Sequence, residues 1–299
     1  MVYWTYRKGR LHIHTYQTVV FRAAKGGGNP CPVTQDADAL TTEQMQEMTK
    51  NFGFESVFLM QPDREDCDIK ARYFVPLHEM EMCVHATIGS ATVLVEKGRF
   101  VESPIYYQTA FGKIQVDWER DENGLHVSAH QFLPRFAKCN PTAEEVCAAL
   151  RITPEQLAPH PICSAATSRM KLIVPLKDRQ TLDGLKPDFE LLWSLCDKYD
   201  TTGFYPYAEE QGADGETVFC ARQFPKRAGY PEDPATGVAA SALGAYLAEN
   251  RLAPLHDGWN RFTVLQGFAM HRPSKICSEV QMENGKVVAT RVSGSAEIL

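Results

Sequence analysis

The sequence predicts an α+β protein built from two similar halves. Strand-like and helix-like patterns alternate along all 299 residues. A short motif recurs half a chain apart, as HATIGSATVL (His85 to Leu94) and PATGVAASAL (Pro234 to Leu243). In each half it follows a strand and opens an apolar helix of small residues. Such a duplication predicts two α+β domains facing each other across a cleft, where small-molecule sites usually form.

The elements follow from local patterns. VYWTYRKGRLHIHTYQTVVF, rich in β-branched and aromatic residues, predicts one or two strands, the later one over Leu11 to Phe21. GGGNPCP (Gly26 to Pro32) reads as a loop, because glycine and proline are too dense there for an element. Thr41 and Gln44 have capping-box spacing and start a helix that runs to Phe52, with Met45, Met48 and Phe52 on one face. Glu55 to Met60 is a short buried strand, and Asp68 to Val75 a strand with Ile69, Ala71, Tyr73 and Val75 inward. The small-residue helix after His85 stops near Gly98. Strands follow at Ile105 to Thr109, Lys113 to Trp118 and Leu125 to Ser128.

The second half starts afresh at Pro141. Thr142 and Glu145 again have capping-box spacing. A strand fits Met170 to Leu176. A helix fits Asp188 to Tyr199, with Leu191, Leu195 and Cys196 on one face. Strands fit Gly203 to Tyr207 and Thr217 to Arg222, with GADGE (Gly212 to Glu216) between them as a hairpin turn. The Glu232 to Asn250 segment and further strands complete the chain.

Composition excludes several classes. The net charge is -6, so no global basic character attracts nucleic acid or an anionic membrane. No apolar run reaches the roughly 20 residues a bilayer span requires, and the first residues lack an apolar signal core. The nine cysteines are scattered, with no paired C-x-x-C spacing. They read as free thiols in a reducing cytoplasm. Cys83 and His85 form C-x-H, weak as a metal signal without two more ligands.

The chemistry-bearing residues gather around the two small-residue helix starts. The first turn of a helix has unpaired N–H groups and partial positive charge. Glycine and alanine let a carboxylate approach those groups. The same donors would stabilise charge arising when a proton leaves the neighbouring carbon. The remaining need is an acid/base. Asp233 precedes Pro234, His85 opens the matching helix, and Glu55 opens a buried strand after Gly53. A desolvated carboxylate at Glu55 could both donate and accept a proton.

These residues resemble the PhzF-like family of phenazine-biosynthesis isomerase relatives, which shares the diaminopimelate-epimerase fold. The likeness includes GNP (Gly28 to Pro30), LTTEQMQ (Leu40 to Gln46), FESVF (Phe54 to Phe58), RYFVPLHEMEMCVHAT (Arg72 to Thr87) and EDPATG (Glu232 to Gly237). It implies two pseudo-symmetric domains, each a mixed sheet curled around a central helix, residues 1–120 plus 290–299 and residues 121–289. The C-terminal strand, Ser293 to Leu299, is expected to return to the first domain. The resemblance further implies Glu55 as general acid/base, with His85 and Asp233 lining the site. Substrate is then held by Val84, Ala86, Thr236, Gly237 and Val238 through the helix starts. It implies no metal or organic cofactor, a small carboxylate-bearing substrate and, as is common in this fold, a homodimer.

Epimerases of this fold use two cysteines. Cys83 matches the first, and no cysteine stands near Pro234 for the second, which disfavours a two-thiol racemase. Cys83 then reads as a small buried residue. Against the family pattern, Val84 replaces Gly, Phe54 replaces Ser, Val238 replaces a small polar residue, Val75 replaces Thr and His14 replaces Asp. Bulkier apolar groups beside the site predict a drier pocket and argue against the phenazine precursor as substrate.

Overall fold

A computed structural model describes residues 13–122, 124–212 and 214–299. The expected strand at the extreme N-terminus lies outside these residues, and the expected turn at 212–216 includes one that is not described. The chain divides into two compact units. Unit one takes the described residues up to Arg22, then Gly28–His130 and Ser293–Leu299. Unit two takes Ala23–Gly27 and Gln131–Val292.

Unit one contains β1 (His14–Val20), β2 (Asn29–Gln35), α1 (Thr42–Phe52), β3 (Ser56–Met60), β4 (Ile69–Phe74), β5 (Glu79–Met80), α2 (Val84–Glu96), β6 (Ile105–Thr109), β7 (Gly112–Asp121) and β8 (Gly124–Gln131). The expected domain break at 120 falls inside β7; the chain divides after His130. β1 and β2 are antiparallel, β2 and β3 parallel, β3 and β4 antiparallel, β4 and β6 parallel, β6 and β7 antiparallel.

Unit two contains β9 (Arg135–Phe136), α3 (Ala143–Leu150), β10 (Cys163–Ala166), β11 (Lys171–Pro175), α4 (Arg179–Asp183), α5 (Phe189–Lys198), β12 (Gly203–Gln211), β13 (Thr217–Ala221), β14 (Phe224–Pro225), α6 (Gly237–Glu249), β15 (Gly258–Gln266), β16 (Ser274–Glu283) and β17 (Lys286–Gly294). Its pairing repeats the same alternation from β10 to β16: antiparallel, parallel, antiparallel, parallel, antiparallel. The last strand, β18 (Ala296–Ile298), pairs with β1 at Thr18 to Val20, so the C-terminus closes unit one.

The two central helices occupy equivalent places. Each links two parallel strands, α2 from β4 to β6 and α6 from β13 to β15. α2 packs on β1, β2, β3 and β18; α6 packs on β10, β11, β15 and β16. A helix enclosed by its own sheet keeps no solvated face, which is why both are built mainly from small and apolar residues. Every residue from Val84 to Leu94 and from Gly237 to Ala248 is buried. Side-chain size sets how near the sheet can come. A Cβ on Gly89 would lie 2.8 Å from the Thr18 hydroxyl.

The equivalence also corrects the alignment of the repeat. Cys83 is the N-cap of α2 and Thr236 the N-cap of α6. The two Ala-Thr pairs are therefore not equivalent: Ala86 and Thr87 lie inside the first turn of α2, while Ala235 and Thr236 precede α6.

Two further expectations are corrected. Asn29–Gln35 is a strand despite Pro30 and Pro32. Among the described residues β3 pairs with β2 at Val33 and Thr34 alone, so there the proline-bearing part has β1 as its partner strand and can lack N–H groups on its other side. In α5, Leu191 is exposed and Leu192 is buried with Leu195 and Cys196. The helix turns its 192/195/196 stripe toward β11 and β12, where Leu172, Val174 and Phe204 complete the core.

Both capping boxes form. Thr41 and Gln44 exchange bonds at the start of α1, and Thr142 with Glu145 at α3. α1 then lays Met45 on Phe58 and Phe74, whose rings meet edge to face at 5.5 Å. Thr142→Ala is expected to cost about 1 kcal/mol, read as a lower midpoint in denaturant with unchanged slope. No helix among the described residues is long and apolar enough to cross a membrane.

Candidate functional site

In unit one, three side chains converge from two elements. α1 ends at Gly53, whose φ of +73° is the left-handed turn that glycine takes without strain. This delivers Glu55 to the mouth of β3. The short β5 leads into Cys83, and His85 follows two residues later in the first turn of α2. The Cys83 thiol donates to Glu55 Oε2 at 3.1 Å. His85 Nδ1 lies 3.3 Å from Cys83 Sγ and 3.4 Å from Glu55 Oε2. Cys83 and His85 are buried, whereas the Glu55 side chain keeps 13% of its surface. The carboxylate is thus held from within and reachable from without.

Burial sets the protonation of its neighbours. It pushes the Cys83 thiol well above its ordinary range, reinforced by the Glu55 charge and by Cys31. It lowers His85, against the opposing pull of Glu55. At neutral pH the carboxylate therefore faces a protonated thiol and a neutral imidazole. Folded His85 resists the proton that the unfolded chain accepts near pH 6.5. Its contribution to stability is full above that pH and lost as the pH falls below it. Unfolding monitored from pH 7 downward is expected to show this loss, and His85→Gln to flatten it.

In unit two, the site builds on the start of α6. The Thr236 hydroxyl donates to Asp233 Oδ2. Gln266, at the end of β15, donates to the Asp233 carbonyl at 2.7 Å and to the Thr236 hydroxyl at 3.0 Å. Its Oε1 accepts from the Thr236 N–H at 3.1 Å and from the Tyr205 hydroxyl at 2.9 Å. Asp233 is 4% exposed and precedes the helix without being its N-cap. Gly267 completes the corner, because a Cβ there would lie 2.6 Å from the Pro234 carbonyl.

Glu232 points elsewhere. It makes a two-pronged pair with Arg222 at 2.9 and 2.7 Å, and Arg222 also donates to the carbonyls of Leu182, Asp183 and Leu185. It anchors the loop that carries Asp233.

The first-turn N–H groups of Val84 and His85, and of Gly237 and Val238, have no partner among the described residues. Val84 and Val238 are themselves buried, Phe54 is 39% exposed, Val75 is fully buried and His14 is exposed. Gln266, Tyr205 and the contacts of Cys83 were not legible in the sequence. A lone Gln at a strand end carries no motif, although the Gly267 beside it marks a close approach.

A family profile described as "Phenazine biosynthesis-like protein" matches residues 19–299. The chain belongs to that family. It is 31% identical to the uncharacterized isomerase YddE of Escherichia coli O157:H7, over 96% of this chain and 95% of that one. It is 29% identical to the trans-2,3-dihydro-3-hydroxyanthranilate isomerase of Pseudomonas aeruginosa, over 95% and 96% of the two chains. The crystal structure of a Bacillus anthracis PhzF-family phenazine biosynthesis protein superposes with a TM-score of 0.84 at 28% identity, covering 95% and 96%. A structure described as a "probable proline racemase" from Agrobacterium radiobacter, 12% identical with a TM-score of 0.67 and coverage of 96% and 91%, shares the fold alone.

The α+β, diaminopimelate-epimerase-like fold is thereby established, and this member of the phenazine biosynthesis-like family is an enzyme of the isomerase class. At the first central helix start stands Cys83, and at the equivalent N-cap of the second stands Thr236.

Proposed function

We propose that this protein is a cofactor-independent isomerase that moves a proton on a small carboxylate-bearing metabolite, with Glu55 as the general acid/base. One observation carries the reading: a partly exposed carboxylate backed at 3.1 Å by a buried thiol. Glu55 removes a proton from carbon and returns it at another position of the same substrate. The thiol donates to the carboxylate form and keeps it aimed.

The substrate carboxylate docks on the helix-start N–H groups of Val84 and His85 in α2; Gly237 and Val238 offer donors of the same kind at the start of α6. As the proton leaves, charge grows on that carboxylate, and the waiting N–H dipoles stabilise it. Neutral His85 orients a polar group of the substrate beside Glu55; at the start of α6, Asp233 is held in place through Thr236.

The test is incubation in deuterated water with small amino and hydroxy acids, cyclic and aromatic ones included, followed by proton NMR. Deuterium entering one substrate together with a shifted double bond supports the proposal. Exchange with inversion at a single carbon would instead mark an epimerase. Saturable binding without any exchange would leave a binding protein on this scaffold.

A further inference from the structure

The geometry points to a metal site for a thiophilic divalent cation at Glu55, Cys83 and His85, which when filled switches the enzyme off. Cys83 and His85 alone were a weak pair in the sequence. The fold supplies a third donor from a distant segment, and one ligand atom from each residue lies within 4.8 Å of the others.

The spacing suits zinc. With Zn–S of about 2.3 Å and Zn–N and Zn–O of about 2.0–2.2 Å, tetrahedral ligands sit about 3.4–3.6 Å apart. The observed edges are 3.1 Å (Sγ to Oε2), 3.3 Å (Sγ to Nδ1) and 3.4 Å (Nδ1 to Oε2). The side chains need only small rotations, while β3 and α2 stay packed on each other.

The charge also suits it. As the S–Zn bond forms, the Cys83 proton leaves to solvent; Glu55 and His85 use lone pairs they already have. One thiolate and one carboxylate cancel the dication, so a buried neutral complex results. A thiolate and an imidazole select Zn²⁺ over Mg²⁺ and Ca²⁺, which prefer all-oxygen sites. Glu55 is then held on a dication that withdraws charge from the carboxylate and occupies the face the substrate needs, so it no longer serves as the base. The inhibitory consequence rests on the proposed role of Glu55; the metal site does not.

Co²⁺ added to the metal-free full-length protein reads the site without any turnover. One equivalent is expected to give a thiolate-to-cobalt charge-transfer band and intense visible bands of a tetrahedral ion. Zn²⁺ should displace it and Mg²⁺ should not. Cys83→Ser should lose the charge-transfer band. Glu55→Gln should weaken cobalt binding by at least the ~10–100-fold that outer-shell partners are worth. Cys139→Ala, which removes the exposed thiol, should leave the spectrum unchanged. Circular dichroism checks each fold, and should the serine variant unfold, the Glu55→Gln titration decides. No band in the parent protein, or a band that survives Cys83→Ser or Glu55→Gln unaltered, overturns the site. In the exchange assay, stoichiometric Zn²⁺ should stop deuterium incorporation and a chelator restore it. Cobalt binding with no exchange in any substrate would sink the isomerase reading and leave the metal site standing.

Discussion

Glu55→Gln is expected to lower substrate deuterium exchange by about 10²–10⁴-fold, the usual worth of a positioned general acid/base. The amide has the size of the carboxyl and can still accept the Cys83 thiol bond, so the local packing is retained. It cannot take up a proton. Glu55 keeps 13% of its side-chain surface and the amide preserves its shape, so stability is expected to change little. Thermal unfolding and exchange must therefore separate: an unaltered midpoint with lost exchange. A protein that folds normally and keeps full turnover would remove Glu55 from the mechanism.

Glu232→Ala is expected to cost about 3 kcal/mol, the lower end for breaking a buried ion pair. It would lower the melting temperature by roughly 6–12 °C if unfolding is cooperative. The two side chains keep only 11% and 10% of their surface, and the variant strands the Arg222 charge. Arg222→Met removes in addition the donor for the Leu182, Asp183 and Leu185 carbonyls, so it should cost at least as much. Combining Arg222→Met with Glu232→Ala should cost less than the sum of the singles, because neither charge is then left alone. Full additivity would mean that the pair contributes nothing as a pair.

Residues close in sequence announced themselves. Thr41 with Gln44 and Thr142 with Glu145 need only a three-residue reach, and both boxes form. The alternation of Ile69, Ala71, Tyr73 and Val75 needs only a pleat. Pro30 and Pro32 misled because their tolerance depends on where β3 pairs along β2, and it pairs at Val33 and Thr34, beyond both prolines. Leu191 misled because a helix face is chosen by what packs on it, and Leu192 fits as well by spacing alone.

The sequence by itself determined the two small-residue helices, their motifs and the family, since these rest on local period and residue order. It also named Glu55, His85 and Asp233. The tertiary structure alone decided that Cys83 sits between Glu55 and His85, that Gln266 and Tyr205 brace Asp233 and Thr236, and that Glu232 belongs to Arg222. Glu55 with Cys83, Asp233 with Gln266 and Tyr205 with Gln266 join segments remote in the chain, and the β-pairing that brings them together is written in no one segment. The protonation of the site belongs there too, because burial is a property of the packed unit and not of the residue.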